Sequence, residues 1–282
     1  GDGHRILRAL GLSVTECRPS LVPLLTKESD THELSGLSLK NVSLSLTEIP
    51  GAANDGHAQS GETGDSERRG KKKVKQKKLY EGFGEMLFTH EGISGPLVLS
   101  ASSYVTDKMG DMAGKPGDIS SAAGGSYGDS SHIMIASLDL KPALDPDKLY
   151  DRICRDIDAA PKKELVHLMS GLLPRSLAQV FVDRLSIDKK KHLCDVSKEE
   201  RREIVSLLKD FRLTVTGTGD FREAIITRGG VSVREIDPST MRVKKYDGLY
   251  VAGELLDVDA LTGGFNLQIA FSTGYLAGCS VE

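Results

Sequence analysis

The stretch from Gly248 to Gly278, GLYVAGELLDVDALTGGFNLQIAFSTGYLAG, constrains the chain most. The apolar run Leu249 to Ala252 predicts a buried strand, the acidic segment after it a loop, and the apolar spacing beyond Gly263-Gly264 a helix. Glu254, Asp257 and Asp259 fall in the loop, and Asn266 and Gln268 in the first turns of the helix. Glycine lets a ligand approach the backbone, and the N–H groups left unpaired at a helix start carry partial positive charge suited to anionic or carbonyl oxygens. A carboxylate at the carboxyl end of a strand suits sugar-like hydroxyls. Ala270, Gly274 and Gly278 recur every four residues and predict a smooth stripe that presses against a sheet. On residues alone, a ligand loop and a plain strand-loop-helix with a solvated acidic loop fit equally well.

The 282 residues suffice for about two domains. With 39% hydrophobic and 27% charged residues, a buried core is expected alongside disordered segments. A net charge of −3 argues against a nucleic-acid or membrane surface over the whole chain, and no apolar span is long enough to cross a membrane as a helix. Cys17, Cys154, Cys194 and Cys279 have neither CxxC nor zinc-ligand spacing, and His192 beside Cys194 has no second ligand pair. They read as free thiols of an intracellular, reducing compartment.

Asp2 is placed to cap a helix over His4 to Leu10, with Ile6, Leu7 and Leu10 on one face and Gly11 as its stop. Such a helix, with nothing before it to pack on, reads as a chain opening inside a domain. From Leu34 to Glu48 apolar residues alternate with one slip of phase at Lys40-Asn41, which predicts two strand segments joined by a bulge. Residues 51–78 break the pattern and end in RRGKKKVKQKK, basic at eight of eleven positions from Arg68 to Lys78. Without interleaved aromatic residues this reads as a solvated loop insertion rather than a nucleic-acid tail. Residues 108–131, rich in Gly, Ser, Asp and Ala, read the same way.

Between these insertions, Met86 to Thr89 predicts a strand, His90-Glu91-Gly92 a turn, and Leu97 to Ser102 a helix with Pro96 in its first turn. His90 reads as a structural hydrogen-bonder at a strand end in preference to an acid–base catalyst. His132 to Leu140 alternates again. Pro142 to Phe211 predicts four helices, the last opened by a capping box of Ser197 and Glu200. Strands follow at Leu213 to Thr216 and Glu223 to Thr227. Arg228-Gly229-Gly230 then reads either as a plain hairpin into Val231 to Glu235 or as a place where a flat ligand approaches the backbone.

Three motifs in order, GEMLFTHEGISGP, AIITRGGVSVREIDPSTM and the organising stretch, closely resemble the HI0933-like family of flavoproteins, NAD(P)/FAD-dependent oxidoreductases. The opening GDGHRILRALGLSVTECRPSLVPL is similar to the family's segment after its first nucleotide-binding unit. The resemblance implies an α/β fold of several domains. It makes residues 1–19 a residual segment of a glutathione-reductase-type FAD domain, 20–141 a β-rich insert, 142–211 a helical subdomain, and 212–282 return strands with the C-terminal FAD-domain segment. It implies FAD as cofactor, NAD(P)H as a possible reductant and a small-molecule substrate, with flavin contacts at Gly253, Glu254 and Asp257 for the ribityl and phosphate part. Gly263, Gly264, Phe265 and Asn266 would lie against the isoalloxazine ring, with Gly229 and Gly230 flanking it. The family's GxGxxG, which holds the ADP pyrophosphate, does not occur in these residues, so weak FAD binding by the chain alone is expected, and a non-catalytic scaffold keeping the fold is the alternative.

Overall fold

The computed structural model describes residues 1–50, 76–106 and 132–281. The two insertions read from sequence lie outside these residues, except at 76–78, where Lys77 and Lys78 pair with Glu48 and Thr47 at the start of a strand. The alternating leucines form one strand rather than two segments, β3 (Ser38–Pro50). Its register shifts between Leu39 and Val42, where Asn41 takes φ 57°, a conformation that asparagine tolerates. The slip restores the inward phase, so Val42, Leu44 and Leu46 are buried.

Around β3 the chain closes a six-stranded antiparallel barrel in the order β2-β5-β4-β3-β6-β7. The other members are β2 (Leu24–Thr26), β4 (Lys77–Phe88), β5 (Gly92–Ser94), β6 (His132–Asp139) and β7 (Phe211–Thr218). The segment read as a short strand at Met86 to Thr89 is thus the end of a long one. β7, read among the return strands, is the strand that closes the barrel against β2. Closure removes the unpaired edges that an open sheet would expose.

Four helices connect β6 to β7: α3 (Pro146–Ala159), α4 (Leu165–Ser170), α5 (Arg175–Asp183) and α6 (Lys198–Lys209), preceded in sequence by α1 (Asp2–Ala9) and α2 (Pro96–Ser102). Ser197 and Glu200 form the expected capping box at the start of α6. The inward faces of α3 to α6 and the barrel share one hydrophobic core, with Leu149, Ile153, Phe181, Leu208 and Phe211 each fully buried. A polar seam crosses it: Arg184 holds Asp30 with two bonds of 2.6 and 2.7 Å and stacks 4.2 Å above the Phe211 ring.

The Arg184 guanidinium beside Asp30 holds that carboxyl below the usual carboxylate range against the opposing effect of partial burial. A depressed folded-state pKa contributes stability at neutral pH that disappears as pH falls through the carboxylate range. Asp30→Asn is therefore expected to lower the urea midpoint at pH 7, with the gap from wild type closing toward pH 3.

A second, smaller core gathers Leu7, Leu12, Val231, Ile236, Met241, Val243, Val251 and Leu256. Its only ladder is the ribbon of β1 (Arg18–Ser20) with β8 (Ile226–Arg228) among the described residues. Four sequence expectations are corrected here. α1 begins at Asp2 with Gly1 as its cap, and Ile6 is exposed, because only Leu7 reaches this core. Leu249 to Ala252 buries Val251 but forms only an isolated bridge from Tyr250 to Arg242, since a four-residue apolar run is satisfied by packing without a ladder. Gly229-Gly230 does not turn a hairpin: β8 pairs with β1, and Val233–Glu235 is a short 3-10 helix.

The fourth concerns the last helix, α7 (Phe265–Cys279). Its stripe of Gly274 and Gly278 meets nothing within 4 Å among the described residues, and none of its residues is buried. Leu267, Phe271 and Tyr275 are 63%, 71% and 77% exposed. Among the described residues no helix is long and apolar enough to cross a membrane.

Candidate functional site

Three segments lie side by side ahead of α7. Thr15 donates its N–H to the Gly230 carbonyl at 2.8 Å, Val231 donates to Leu255 at 2.8 Å, and Asp257 donates to Val231 at 2.8 Å. The bridges Val14–Val231, antiparallel, and Val231–Leu256, parallel, make these segments a small three-chain patch. This packing explains the paired glycines. A Cβ on Gly229 would run into the Glu16 carbonyl oxygen, and one on Gly230 would stand 2.6 Å from the Leu255 carbonyl oxygen. One close approach they permit is made by the chain's own backbone.

Asp257 leaves this patch with its carboxylate accepting a 2.7 Å bond from the Thr15 hydroxyl. Beside it, Thr15, Glu16, Arg18, Arg228, Gly229 and Asp257 line a cavity of about 300 Å³. Arg18 and Arg228 are direct cross-strand partners on the β1–β8 ribbon, an arrangement that needs negative charge nearby. Asp259 supplies some of it, 3.7 Å from the Arg228 Nε, and also accepts from the Ser20 hydroxyl at 3.3 Å. The two loop aspartates thus have separate employments: Asp257 on Thr15 and the cavity, Asp259 on Arg228. A larger cavity of about 670 Å³ beside α3, lined by Lys148, Asp151, Arg152 and Arg155, contains none of the sequence-predicted residues.

The start of α7 gathers the other expected residues. Gly264 is its left-handed cap at φ 85°, with nothing within 4 Å of where a Cβ would stand. Glycine has no side chain to cap with, and no acidic residue lies in the first turn. Among the described residues the positive end of this fifteen-residue helix therefore carries no side-chain cap, at a position only glycine adopts cheaply. Gly263, at φ 118°, lies against the Phe265 ring, which is itself 57% exposed. Gly253 donates its N–H to Thr273 at 2.9 Å and faces Ala270, fastening the loop's beginning onto α7. Glu254 lies in the 3-10 turn Gly253–Leu255 and points no bond at these groups among those the structure describes.

Asn266 is held by the loop that precedes it. Its amide oxygen accepts from the Ala260 N–H and its amide nitrogen donates to the Ala260 carbonyl, both at 2.8 Å. Both ends of the side chain are spent on the loop, so it shapes the turn before α7. The structure thus brings Asp257 to the cavity with Gly229, places Gly263, Gly264, Phe265 and Asn266 at the start of α7, and sets Gly253 against the middle of that helix at Ala270 and Thr273. Sequence reasoning missed Thr15, Arg18, Arg228, Ser100 and Thr262. Arg18 and Arg228 stood inside motifs already singled out, but only strand register brings them opposite one another.

Comparison with known proteins gives the chain's relatives. Residues 1–280 match the family described as HI0933-like protein Rossmann domain. The chain is 27% identical over 284 residues to a ribosomal RNA dihydrouridine synthase of Haemophilus influenzae, covering 99% of the chain and 55% of that protein. It is 26% identical over 278 residues to a 3-dehydro-bile acid delta(4,6)-reductase of Clostridium scindens, covering 99% of the chain and 57% of that protein. A ribosomal RNA dihydrouridine synthase of Escherichia coli is 27% identical over 274 residues, 97% of the chain and 54% of that protein. The chain therefore spans about half the length of these curated relatives.

Proposed function

Since the chain belongs to the HI0933-like family, we propose that it forms the flavin-facing part of an FAD-dependent oxidoreductase, an α/β protein whose FAD domain is of the glutathione-reductase type. The observation that carries this reading is the uncapped start of α7 at Gly263-Gly264, with open space at Gly264 beside a loop of fixed shape. Those residues fit the pyrimidine end of a flavin, an edge of carbonyl oxygens that becomes more negative on reduction. FAD when bound supplies hydride acceptance and donation. The chain supplies the setting: N–H groups at the start of α7 hold negative charge, Asn266 keeps the preceding turn in place, and Asp257 offers its carboxylate to ribityl hydroxyls.

The names of the relatives narrow the chemistry proposed for the substrate. Making dihydrouridine and reducing a delta(4,6) bond of a 3-dehydro compound both add hydrogen to a ring carbon–carbon double bond conjugated with a carbonyl. A substrate of that class is proposed here, carried on a small molecule or on RNA. With FAD-loaded protein reduced photochemically under anaerobic conditions, flavin reoxidation is expected on adding a 3-oxo unsaturated steroid acid or a uridine-containing RNA. Reoxidation by neither would turn the reading toward the alternative, a binding protein that keeps the fold without the chemistry. That alternative draws on Gly229, Gly230 and Asn266, whose packing needs no ligand.

The division of labour between the two aspartates gives a sharper expectation. Asp257→Ala is expected to weaken FAD retention by about tenfold, the order expected for a lost charge-assisted hydrogen bond. Asp259→Ala, which removes the ion pair with Arg228 and leaves the Thr15–Asp257 bond in place, is expected to change retention by less than about threefold. Equal losses on a fluorescence titration with FAD would show that Asp257 does not contact the cofactor.

A further inference from the structure

The loop that ends at Gly263-Gly264 is held by the barrel as well as by its own lobe. The Ser100 hydroxyl, on α2, lies 2.7 Å from the Thr262 hydroxyl, and Thr262 also lies 3.4 Å from the Pro96 carbonyl. The last turn of α2 contributes again: the Ser103 carbonyl accepts from Arg228 at 3.0 Å, and Arg228 reaches Asp259. A cation at that end suits the negative pole of a helix.

α2 itself is firmly seated. Leu97, Val98 and Ala101 are buried in the barrel core, Ser100 is 8% exposed, and the Ser102 hydroxyl accepts the Val22 N–H at 3.0 Å. On its other side the loop is fixed by Asn266 gripping Ala260. Residues 259 to 262 are thus clamped between α7 and α2, and the two residues that follow form the turn into the α7 start.

We infer that Ser100 and Thr262 are positioning residues for the flavin proposed above: their bond makes the barrel set where the Gly263-Gly264 turn and the first N–H groups of α7 stand. This rests on the FAD reading and concerns a contact between lobes that neither lobe makes alone. A part-buried hydroxyl pair of this kind contributes about 1 kcal/mol, or roughly a fivefold change in an equilibrium it controls. Because the Thr262 hydroxyl carries both the Ser100 and the Pro96 contacts, losing Ser100 after Thr262 should add little.

The test has two arms. In the cofactor-free chain, amide hydrogen exchange at residues 260–264 is expected to quicken by about fivefold in Ser100→Ala and in Thr262→Val, and no further in the double variant. In the FAD-loaded protein both variants should keep the cofactor, while the reduction equilibrium against a reference dye moves toward oxidised flavin by about fivefold. Unchanged exchange in both single variants would overturn the inference, as would FAD uptake with an unmoved dye equilibrium. A full-length wild-type protein, upstream segment included, that takes up no FAD would overturn the functional reading and this one with it.

Discussion

Gly230→Ala is expected to lower folding stability by about 3 kcal/mol or more, combining the strain of a side chain at positive φ with forced overlap. The residue sits at φ 143°, and its added Cβ would stand 2.6 Å from the Leu255 carbonyl oxygen and 2.8 Å from the Leu256 carbonyl carbon. Backbone on a neighbouring segment cannot swing away as a side-chain end can, so the patch joining residues 13–16, 229–232 and 255–257 must open. Gly248→Ala isolates the conformational part: it has φ 74° with nothing within 4 Å of its Cβ position. That variant should lose only about 1 kcal/mol. Urea unfolding followed by circular dichroism compares the two, and a Gly230→Ala midpoint equal to that of Gly248→Ala would mean the three segments are not locked together.

Phe211→Ala is expected to cost about 3–5 kcal/mol, the range for emptying an aromatic site in a closed core. Phe211 is fully buried at the first residue of β7, its ring stacked with Phe181 at 6.4 Å and covered by Arg184 at 4.2 Å. Truncation would leave a cavity where barrel, α5 and the Arg184–Asp30 pair meet. It would also remove the surface on which that guanidinium lies, so the pair should become more sensitive to salt. Phe221→Ala serves as the control, since that ring is 57% exposed and its loss should stay within about 0.5 kcal/mol. With no tryptophan in the chain, tyrosine fluorescence and circular dichroism are the appropriate probes.

What could be read in the sequence was what local chemistry decides. The capping box of Ser197 and Glu200 needs only residues three apart, and the phase slip at Lys40-Asn41 marks a bulge because strand faces alternate with period two. The stripes of α3 to α6 announced their buried faces for the same reason. Barrel closure was not readable, because Leu24 meets Thr218 and Leu25 meets Gly217, partners far apart in sequence. The same holds for the candidate site. Gly263 and Gly264 were recognisable as a helix entry, whereas Ser100 meeting Thr262 depends on where a barrel helix ends up. Gly229 and Gly230 were singled out correctly as unusual backbone, but residue type cannot tell whether a ligand or the protein itself comes close.

The bare face of α7 bears finally on the bulk behaviour of the polypeptide. Leu267, Phe271 and Tyr275 form a ridge beside the groove of Ala270, Gly274 and Gly278, and ridges of one helix fit the grooves of another. A net charge of −3 provides little repulsion to keep such faces apart. Polar substitution along that ridge is therefore expected to raise the concentration at which the isolated chain stays monodisperse, as light scattering would show.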